Sequence, residues 1–448
     1  MQCAEIRQKF VEYYEKLGFQ FLPRAPMMHP SIPMSFVMSA GLVQVETSLA
    51  NTKDRSGNQF VLVQDCFRHF DLERIGTDNI HLSLFEMPGA FVFDVNGRQT
   101  TIRRMWNLAT EVLGIDPQRI WVSYFGGDQI GGQELPRDEL TYHAWREVGV
   151  PAERLVGLGR DNYWMQGGGM QHTTSAFRKC GPNTELFYDL GQEKVCSSTC
   201  RPGCRCGRFV EFSNSLFISS NFHPETHELL PIDDPFTETV IGTERVAMIL
   251  QKVPSVFDID SYRSIIDMIH QFVTPDGLPD PLIRESERVI ADHLRALYVL
   301  VADGAPPPGK NGRKRIMKLL IRAIITRQIV LGVRSEKSFP KLIESVLKII
   351  DNNSQPLQIE KKLKEYFDNE SHRFQKTIEQ GKREFERMLG KNQRQTLSGS
   401  QILSLEKEYG LPRPLICDLL RQKNLKFLDT EYERTLFSLK QSLSHRAN

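Results

Sequence analysis

Residues 65–93, DCFRHFDLERIGTDNIHLSLFEMPGAFVF, predict a β-strand, a polar loop and a returning strand, with Arg68 where the first strand enters the loop. Similar short β-type runs alternate with glycine and proline through the first half of the chain, which favours a largely antiparallel sheet. After residues 274–281, TPDGLPDP, the apolar side chains follow a helical period. We therefore predict an α+β protein in which an antiparallel sheet domain flanked by helices precedes an all-helical domain.

The overall charge is nearly balanced, with 57 basic and 55 acidic side chains among 448 residues. A net charge of only +2 does not by itself predict a nucleic-acid partner. The sequence has no run of roughly eighteen apolar residues, the length that a membrane span requires. Residues 1–19 read as an amphipathic helix ending at Gly18 rather than as a signal peptide. We expect a cytoplasmic protein with no membrane partner and with reduced thiols.

Four of the eight cysteines are clustered in the pattern C-x3-C-x3-C-x-C. In a reducing compartment such a cluster more often binds metal than forms disulfides. Four thiolates are enough to close a tetrahedral Zn²⁺ site, so we predict a structural zinc site, with an iron–sulfur cluster or unligated thiols as the alternatives. The predicted ligands are Cys196, Cys200, Cys204 and Cys206.

A local basic run occupies residues 310–327, KNGRKRIMKLLIRAIITR, with seven Lys or Arg and no acidic residue. A helix face that is simply solvated is one interpretation of such a run. A surface for a phosphate backbone is the other, and we favour it because nothing nearby in the sequence neutralises the charge.

A second arginine follows a strand of the sheet half, in residues 236–251, FTETVIGTERVAMILQ. This segment predicts a strand that turns at Gly242 into a helix carrying Arg245. Arg68 at a strand end and Arg245 at a helix start suit a bidentate grip on an anionic group held over a sheet.

In this order the segments resemble alanyl-tRNA synthetase, a class II aminoacyl-tRNA synthetase, from the first residues to about Leu420. The resemblance implies a catalytic domain at 1–254 and a helical tRNA-recognition-like domain at 255–448. The segments that carry it are SFVMSAGLVQ (35–44), DCFRHFDLERIG with HLSLFEMPGAF, DNYW (161–164), CGPNTELFYD (180–189), ETVIGTER (238–245) and EYGLPRPLICDLL (408–420).

The resemblance implies that an amino-acid carboxylate attacks the α-phosphate of ATP, and that the aminoacyl-adenylate then passes its acyl group to tRNA. Arg68 would clamp the α-phosphate, Arg245 would hold the γ-phosphate, and Glu211 is the candidate ligand of Mg²⁺. The implied ATP-binding residues are Arg68, Phe85, Met87, Gly242 and Arg245. The amino acid, alanine in the family, would contact Trp164, Asn214 and Glu238.

Two pocket positions depart from the family pattern. Glu238 stands where the family has Asp, and Val240 stands where it has Gly. A pocket built for a small substrate responds to a single methylene by about 1–3 kcal/mol, so the amino acid could differ from alanine, although a shifted backbone would still admit it.

On the tRNA side, Asn311 matches an Asn that reads the acceptor stem's G·U pair in the family, and Lys407 stands where the family has an Asp. A lysine cannot accept a hydrogen bond from the guanine amino group, although it can hold phosphate. The implied tRNA-binding residues are Asn311, Arg313, Lys314, Arg315 and Lys407.

Three functional hypotheses remain at this point. The first is an ATP-dependent aminoacyl-tRNA ligase, and the second is a tRNA-independent ligase that passes its adenylate to a carrier thiol or a small amine. The third is a non-catalytic tRNA-binding paralogue, which the retained Arg68, Glu211 and Arg245 disfavour. The sequence ends where the family usually continues into editing and oligomerising domains, so we expect that this chain would not itself clear mischarged product.

Overall fold

The computed structural model describes residues 1–32, 34–50, 57–70, 72–94, 97–167, 177–274, 277–350, 356–390, 397–426 and 429–444. These residues form two compact units. The first comprises residues 1–32, 36–68 and 84–261 and is built on a sheet, and the second comprises the other described residues and is helical. The α+β prediction is therefore confirmed. The finer prediction of a catalytic domain at 1–254 and a tRNA-recognition-like domain at 255–448 stays a prediction.

The first unit contains one large sheet and a small two-stranded ribbon. Its strands are β1 (Gln20–Phe21), β2 (Gln59–Phe67), β3 (Leu84–Val92), β4 (Ile120–Phe125), β5 (Asp128–Ile130), β6 (Gln133–Leu135), β7 (Leu155–Leu158), β8 (Tyr163–Met165), β9 (Arg178–Asp189), β10 (Phe209–Phe222) and β11 (Leu229–Ile241). The order across the large sheet is β1-β2-β3-β11-β10-β9-β4-β7, with β8 also paired to β9, and β5 pairs with β6.

The middle of this sheet is antiparallel, as the sequence predicts, but a parallel pair of strands lies at each edge. β1 pairs with β2 and β4 pairs with β7 in parallel. Parallel neighbours need a crossover connection, and each of these pairs is separated in the chain by a helix. Short edge strands carry little hydrophobic pattern, so the sequence analysis did not predict their direction.

Helices cover both faces of the sheet. They are α1 (Cys3–Lys16), α2 (Leu42–Ser48), α3 (Arg98–Asn107), α4 (Glu139–Glu147) and α5 (Thr243–Gln251). The buried residues of α1 include Ile6, Phe10 and Tyr14, one helical stripe, and α1 contacts β2, β3 and α5. An apolar cluster on the sheet includes α2 residues together with Phe60, Phe91, Leu216 and Phe236.

The second unit is a bundle whose helices are α6 (Asp260–His270), α7 (Asp280–Ala302), α8 (Gly312–Val330), α9 (Ser335–Leu347), α10 (Pro356–Gly390), α11 (Gly399–Lys407), α12 (Arg413–Gln422) and α13 (Asp429–Ser444). Residues 69–83, from the polar loop between β2 and β3, also belong to it. Asp292 of α7 holds this loop, because its carboxylate accepts hydrogen bonds from the backbone N–H of Ser83 at 2.9 Å and from the Ser83 hydroxyl. Asp292 is fully buried, so these bonds compensate its desolvation.

The basic run predicted as a helix face lies on α8 and in the turn before it. The apolar residues Ile316, Met317, Leu320, Ile321 and Ile324 are buried along one side of the helix. In its C-terminal half, Arg322 pairs with Glu370 of α10 and Arg327 pairs with Glu285 of α7.

Among the described residues, no helix combines the length and the apolar character that a membrane crossing requires.

Gly181 of β9 lies where β9 and β10 approach closely. A Cβ atom at this position would lie 1.9 Å from the carbonyl oxygen of Phe217, so the backbone would have to move. We expect Gly181→Ala to lower the free energy of unfolding by about 2 kcal/mol or more, measured by urea denaturation. Gly390→Ala is the control, since its Cβ would meet no atom within 4 Å. Equal stability of the two variants would contradict this close approach.

Candidate active site

Arg68 follows the last residue of β2, and its guanidinium lies over an aromatic ring of β3. The Cζ atom is 4.9 Å from the centroid of the Phe85 ring. Phe85 pairs with Cys66 in the antiparallel register, and Met87 pairs with Gln64, so Phe85 and Met87 point to the same face of the sheet. The structure thus brings together Arg68 and Phe85, and places Met87 in the same row.

Arg245 is positioned by the start of α5. The Thr243 hydroxyl donates to Glu86 Oε1 of β3 at 2.8 Å, and the Glu86 backbone N–H donates to Glu244 Oε2 at 3.1 Å. These two bonds fix the first turn of α5 against β3. From there Arg245 Nη1 donates to the backbone oxygen of Glu211 at 2.9 Å and to Glu211 Oε2 at 3.2 Å. The pair is only partly buried, so both groups remain accessible to a ligand.

A β-bulge in β10 sets which face Glu211 uses. Glu211 pairs with Phe187 and Ser213 pairs with Leu186, so Phe212 is an extra residue in β10. Without it, Glu211 and Asn214 would alternate to opposite faces, because they are three positions apart. With it, Asn214 Nδ2 donates to Glu211 Oε1 at 3.4 Å.

The register across four strands places the remaining candidates on this same face. Asn214 pairs with Val240, and Val240 pairs with Gly89. Gly89 lies in the row of β3 that carries Phe85 and Met87. Directly paired residues point to the same side of a sheet, so Arg68, Phe85, Met87, Val240, Asn214 and Glu211 share one face.

Glu185 is a site residue that the sequence analysis missed. It pairs with Asn214 from β9, and its carboxyl accepts hydrogen bonds from the Ser123 hydroxyl at 3.1 Å and from Asn183 Nδ2 at 3.3 Å. Burial, and then the charge of Glu211, raise the pKa of Glu185. The signal in the sequence was weak: Glu185 lies just before the apolar residues Leu186 and Phe187 in a strand that has polar residues at both ends.

Glu238 lies in an apolar environment on β11. Its side chain is flanked in the register by Leu216 and Phe91, and the residue is only 4% exposed. Burial, and then the charge of Glu46 on α2, raise the pKa of Glu238 to about 8. Trp164 packs against the apolar cluster to which Leu216 and Phe91 belong. The structure therefore places Glu238 and Trp164 beside the same cluster.

Val240 fills space that a glycine on the neighbouring strand leaves open. A Cβ at Gly89 would lie 3.5 Å from Val240 Cγ1 and 2.8 Å from the backbone oxygen of Ala40. The branched side chain at residue 240 is thus accommodated next to bare backbone.

The four clustered cysteines lie at the tip of the β9–β10 hairpin. Arg208 closes the base of this tip, since its Nε and Nη2 donate to the two carboxylate oxygens of Asp189 at 2.8 and 2.5 Å. The four sulfur atoms lie within 4.8 Å of one another, with Cys196 and Cys204 Sγ at 3.3 Å and Cys200 and Cys206 Sγ at 3.6 Å. A tetrahedral ZnS4 centre with bonds of ≈ 2.3 Å needs sulfur separations of roughly 3.8 Å, so the cluster could bind a metal ion.

The predicted tRNA-binding residues lie in the helical unit. Asn311 is the N-cap residue of α8, and together with Arg313 and Lys314 it lines a surface cavity of about 540 Å³. Arg313 Nε donates to the backbone oxygen of Ser35 at 2.7 Å. Lys407, at the end of α11, forms an ion pair with Glu406 at 2.9 Å. Burial lowers the pKa of the His69 imidazole, and the nearby positive charge of Arg315 lowers it further.

Comparison with known proteins identifies the family. The family model described as tRNA synthetases class II (A) matches residues 5–447. The chain belongs to this family. Its similarity to solved structures is remote, for example to the apo histidyl-tRNA synthetase of S. aureus with 9% identity, 58% of this chain and 68% of that chain covered, and a TM-score of 0.35.

Alanine–tRNA ligases are among the proteins most similar to this class II chain. That of Desulforudis audaxviator is 31% identical over 443 residues, covering 97% of this chain and 48% of its own length. That of Clostridioides difficile is 30% identical over 434 residues, covering 95% of this chain and 47% of its own length. The predicted resemblance to alanyl-tRNA synthetases is thus confirmed, and the chain spans about half the length of the curated relatives it matches.

The buried carboxyl of Glu238 should make the free energy of unfolding of this class II chain depend on pH. The native Glu238 carboxyl keeps its proton up to about pH 8, whereas the unfolded chain releases it near the ordinary value of 4.5. Between these values the native state binds more protons, so the free energy of unfolding falls as the pH rises. We expect Glu238→Gln to gain stability relative to the native protein by about 4 kcal/mol between pH 5 and pH 8.5.

The measurement is urea denaturation of both proteins at several pH values. Glu147→Gln, which changes an exposed carboxyl of α4, is the control and should follow the native protein. A stability difference between Glu238→Gln and the native protein that does not change with pH would show that Glu238 is ionised throughout.

Proposed function

We propose that this chain activates alanine with ATP to form alanyl-adenylate and then transfers the alanyl group to tRNA. The observation that carries the proposal is the single sheet face that bears Arg68, Phe85, Met87, Asn214 and Glu211, in a chain of the class II family. We infer the identity of the amino acid and of the acceptor from the names of the alanine–tRNA ligases that resemble this chain. A cytoplasmic location is part of the same proposal.

The reaction needs no protein nucleophile, because the amino-acid carboxylate itself attacks the α-phosphate. Catalysis then consists of holding the two reactants in line and stabilising the negative charge that develops on phosphorus-bound oxygens. Arg68 donates to the α-phosphate and the attacking carboxylate, with its orientation supported by the Phe85 ring 4.9 Å away. Phe85 and Met87 provide the apolar contacts for adenine, and Gly242 leaves room for the phosphates beside Arg245.

Two carboxyl groups at this site suit Mg²⁺. Glu211 and Glu185 face each other closely enough for the charge of one to raise the pKa of the other, and carboxylates are ligands that Mg²⁺ prefers. When bound, Mg²⁺ would neutralise charge on the ATP phosphates. Arg245 then contributes a second positive charge from the other side of Glu211.

The amino-acid pocket is proposed around Glu238, Asn214 and Trp164. A protonated Glu238 cannot pair with the α-ammonium group, but an arriving cation favours the ionised carboxylate. The ammonium therefore compensates a buried group that has no cationic partner of its own in the described sheet. Lys179, whose ammonium lies 5.5 Å from the ring centroid of Phe236 in this cluster, is bound to Glu46.

The acceptor end of tRNA is proposed to bind the helical unit through Asn311, Arg313, Lys314 and Arg315, with Lys407 as a phosphate contact. Four basic residues fall within the six positions 310–315, with no acidic residue in the first turn of α8. Such a density of positive charge suits a phosphate backbone. The relatives' names favour tRNA over a carrier thiol or a small amine as the acceptor.

We also propose that the Cys196, Cys200, Cys204 and Cys206 cluster binds one structural Zn²⁺. All four positions of a tetrahedral centre would be filled by protein thiolates, so the site has no opening for chemistry. Its place at the tip of the hairpin means that it would fix the connection from β9 to β10, the strands that carry Glu185, Glu211 and Asn214.

The activation step is tested by ATP–pyrophosphate exchange with each of the twenty amino acids and β-alanine, without tRNA. We expect exchange with alanine, and we expect Arg68→Ala to lower it by at least about 100-fold, because a donor to the developing charge is lost. Arg103→Ala, which removes an exposed arginine of α3, is the control. Exchange with another amino acid would overturn the assignment of alanine, and full activity of Arg68→Ala would remove Arg68 from the site.

The zinc proposal is tested by elemental analysis of the purified chain. Four thiolates predict about one zinc per chain, and Cys200→Ser with Cys204→Ser should lose it and lower the unfolding temperature. Cys417→Ser, outside the cluster, is the control and should retain the metal. A stable protein without zinc, or one with the absorption of an iron–sulfur cluster, would contradict the proposal.

A further inference from the structure

A second cavity, of about 480 Å³, lies within the helical unit and belongs to none of the sites described above. It is lined by α7, α8 and α10, by the turn between α11 and α12, and by five loop residues, namely His69, Phe70, Leu72, Glu73 and Ile75. Its volume falls within the roughly 300–1,000 Å³ of small-molecule sites. The side chains that line the cavity, and their charges, indicate which class of ligand it can bind.

The wall carries a buried histidine held in one orientation. His293 is nearly inaccessible to solvent, and its Nδ1–H donates to Asp292 Oδ2 at 2.9 Å. Asp292 is itself fixed by Ser83 and by the Tyr262 hydroxyl, which donates to it at 3.4 Å. With the proton on Nδ1, the other ring nitrogen of a neutral imidazole is an acceptor. Within the described residues Nε2 has no hydrogen-bond partner, so it is left for a ligand that donates.

The mouth of the cavity carries exposed apolar side chains. Phe70 is 64% exposed and Leu319 is 42% exposed, although both line the cavity. An exposed phenylalanine at a pocket mouth is a stacking surface for a flat, unsaturated ring.

The two arginines that line the cavity do not make it an anion site. Arg322 Nε is bonded to Glu370 Oε1 at 2.5 Å, with its guanidinium 4.5 Å from the Phe374 ring, and Arg327 is paired with Glu285. Their charges are therefore neutralised within the protein. Glu73 of the loop also lines the cavity, and its carboxylate disfavours an anion. The cavity therefore favours a neutral group that carries a hydrogen-bond donor.

Positive charge is found instead farther along the same helix. Arg315 precedes Leu319 by four residues, about 6 Å along an α-helix, and Arg313 and Lys314 come just before it. A ligand with a neutral, flat, donating ring and an adjoining anionic backbone matches both parts of α8. A nucleotide within a single-stranded RNA has this chemistry, and proteins commonly read such bases by stacking and by hydrogen bonds to their edges.

We propose that this cavity receives one unstacked base of the RNA partner, with the base stacked on Phe70 and its exocyclic amino group donating to His293 Nε2. Adenine, cytosine and guanine have such an amino group, and uracil keeps an N3–H donor instead, whereas unsubstituted purine has neither. The proposal rests on the proposed function, because the RNA partner is the tRNA inferred above. It adds a base-specific contact to a surface that otherwise binds phosphate.

The test compares two RNAs that share one short duplex, one of them blunt and the other with a single-stranded 3′ tail. We expect the native protein to bind the tailed RNA about tenfold more tightly, and to lose most of this preference when one particular tail adenosine is replaced by purine riboside, which stacks but has no donor on its ring. Phe70→Ala should abolish the preference, whereas Phe437→Ala, which removes an aromatic residue of α13 with 63% exposure, should keep it.

A second variant, His293→Asn, distinguishes loss of the base contact from a structural effect of Phe70→Ala. In His293→Asn the side-chain amide can still donate to Asp292, but the acceptor at Nε2 is gone. This variant should bind the tailed RNA without distinguishing purine riboside from adenosine in the tail. Equal binding of tailed and blunt RNA by the native protein, or an unchanged preference in Phe70→Ala, would overturn the proposal, as would saturable binding of free adenosine that the tail does not compete with.

Failure of the base pocket can be distinguished from failure of the proposed function. The variant with Arg313, Lys314 and Arg315 all changed to alanine should weaken binding of both RNAs and flatten the salt dependence, because it removes phosphate contacts. If the native protein binds neither RNA while it still exchanges pyrophosphate, both the tRNA partner and the base pocket fail, and amino-acid activation stands. If both RNAs bind equally, only the base pocket fails.

Discussion

In β10 the residues Glu211 and Ser213 pair with consecutive residues of β9, and the extra residue between them, Phe212, turns the strand by one position. This bulge decides where the acidic side chains of the site point. Before it, Glu211 reaches Arg245, and after it Asn214 reaches back to Glu211 and lies opposite Val240. A regular strand would leave one of the two on the face covered by α1 and α5. The site therefore depends on a local irregularity of one strand, supported by a register that is regular across β2, β3 and β11.

The face that the bulge completes is rich in carboxyl groups that are poorly solvated. Glu238 is buried and Glu185 is half-buried, and burial raises the pKa of each. Burying a carboxyl without a cation costs stability, so their presence is not explained by folding. Both become favourable when a cation arrives: an ammonium group at Glu238, and a divalent ion near Glu185 and Glu211. In the proposed site, the sheet would therefore bind cationic ligands together with the anionic phosphates that Arg68 and Arg245 would hold.

Part of this arrangement could be predicted from the sequence and part could not. Arg68 was recognisable because it directly follows β2, and Arg245 because it lies in the first turn of the helix that follows β11. A strand end is visible in the sequence as a change from apolar alternation to polar residues. Glu185 was missed because a carboxyl inside a strand reads as a solvent-facing residue until the sheet's neighbours are known. The parallel edge pairings, the bulge at Phe212 and the association of loop 69–83 with the helices all depend on long-range contacts. The cavity beside His293 is of the same kind, since its lining comes from five separate segments.

Helix α8 shows why a charge run has to be interpreted in three dimensions. The run 310–327, most of which lies on this helix, carries seven basic residues with no acidic residue among them, and this favours one uniform phosphate-binding surface. In the folded unit, however, Glu370 and Glu285 neutralise Arg322 and Arg327, which are the last two of the seven. The C-terminal half of the helix uses its cations to hold α10 and α7, and only the N-terminal half is left with the dense positive charge that suits phosphate. A single helix can therefore bind an anionic backbone at one end and border a neutral cavity at the other, because acidic partners distant in sequence divide its charge.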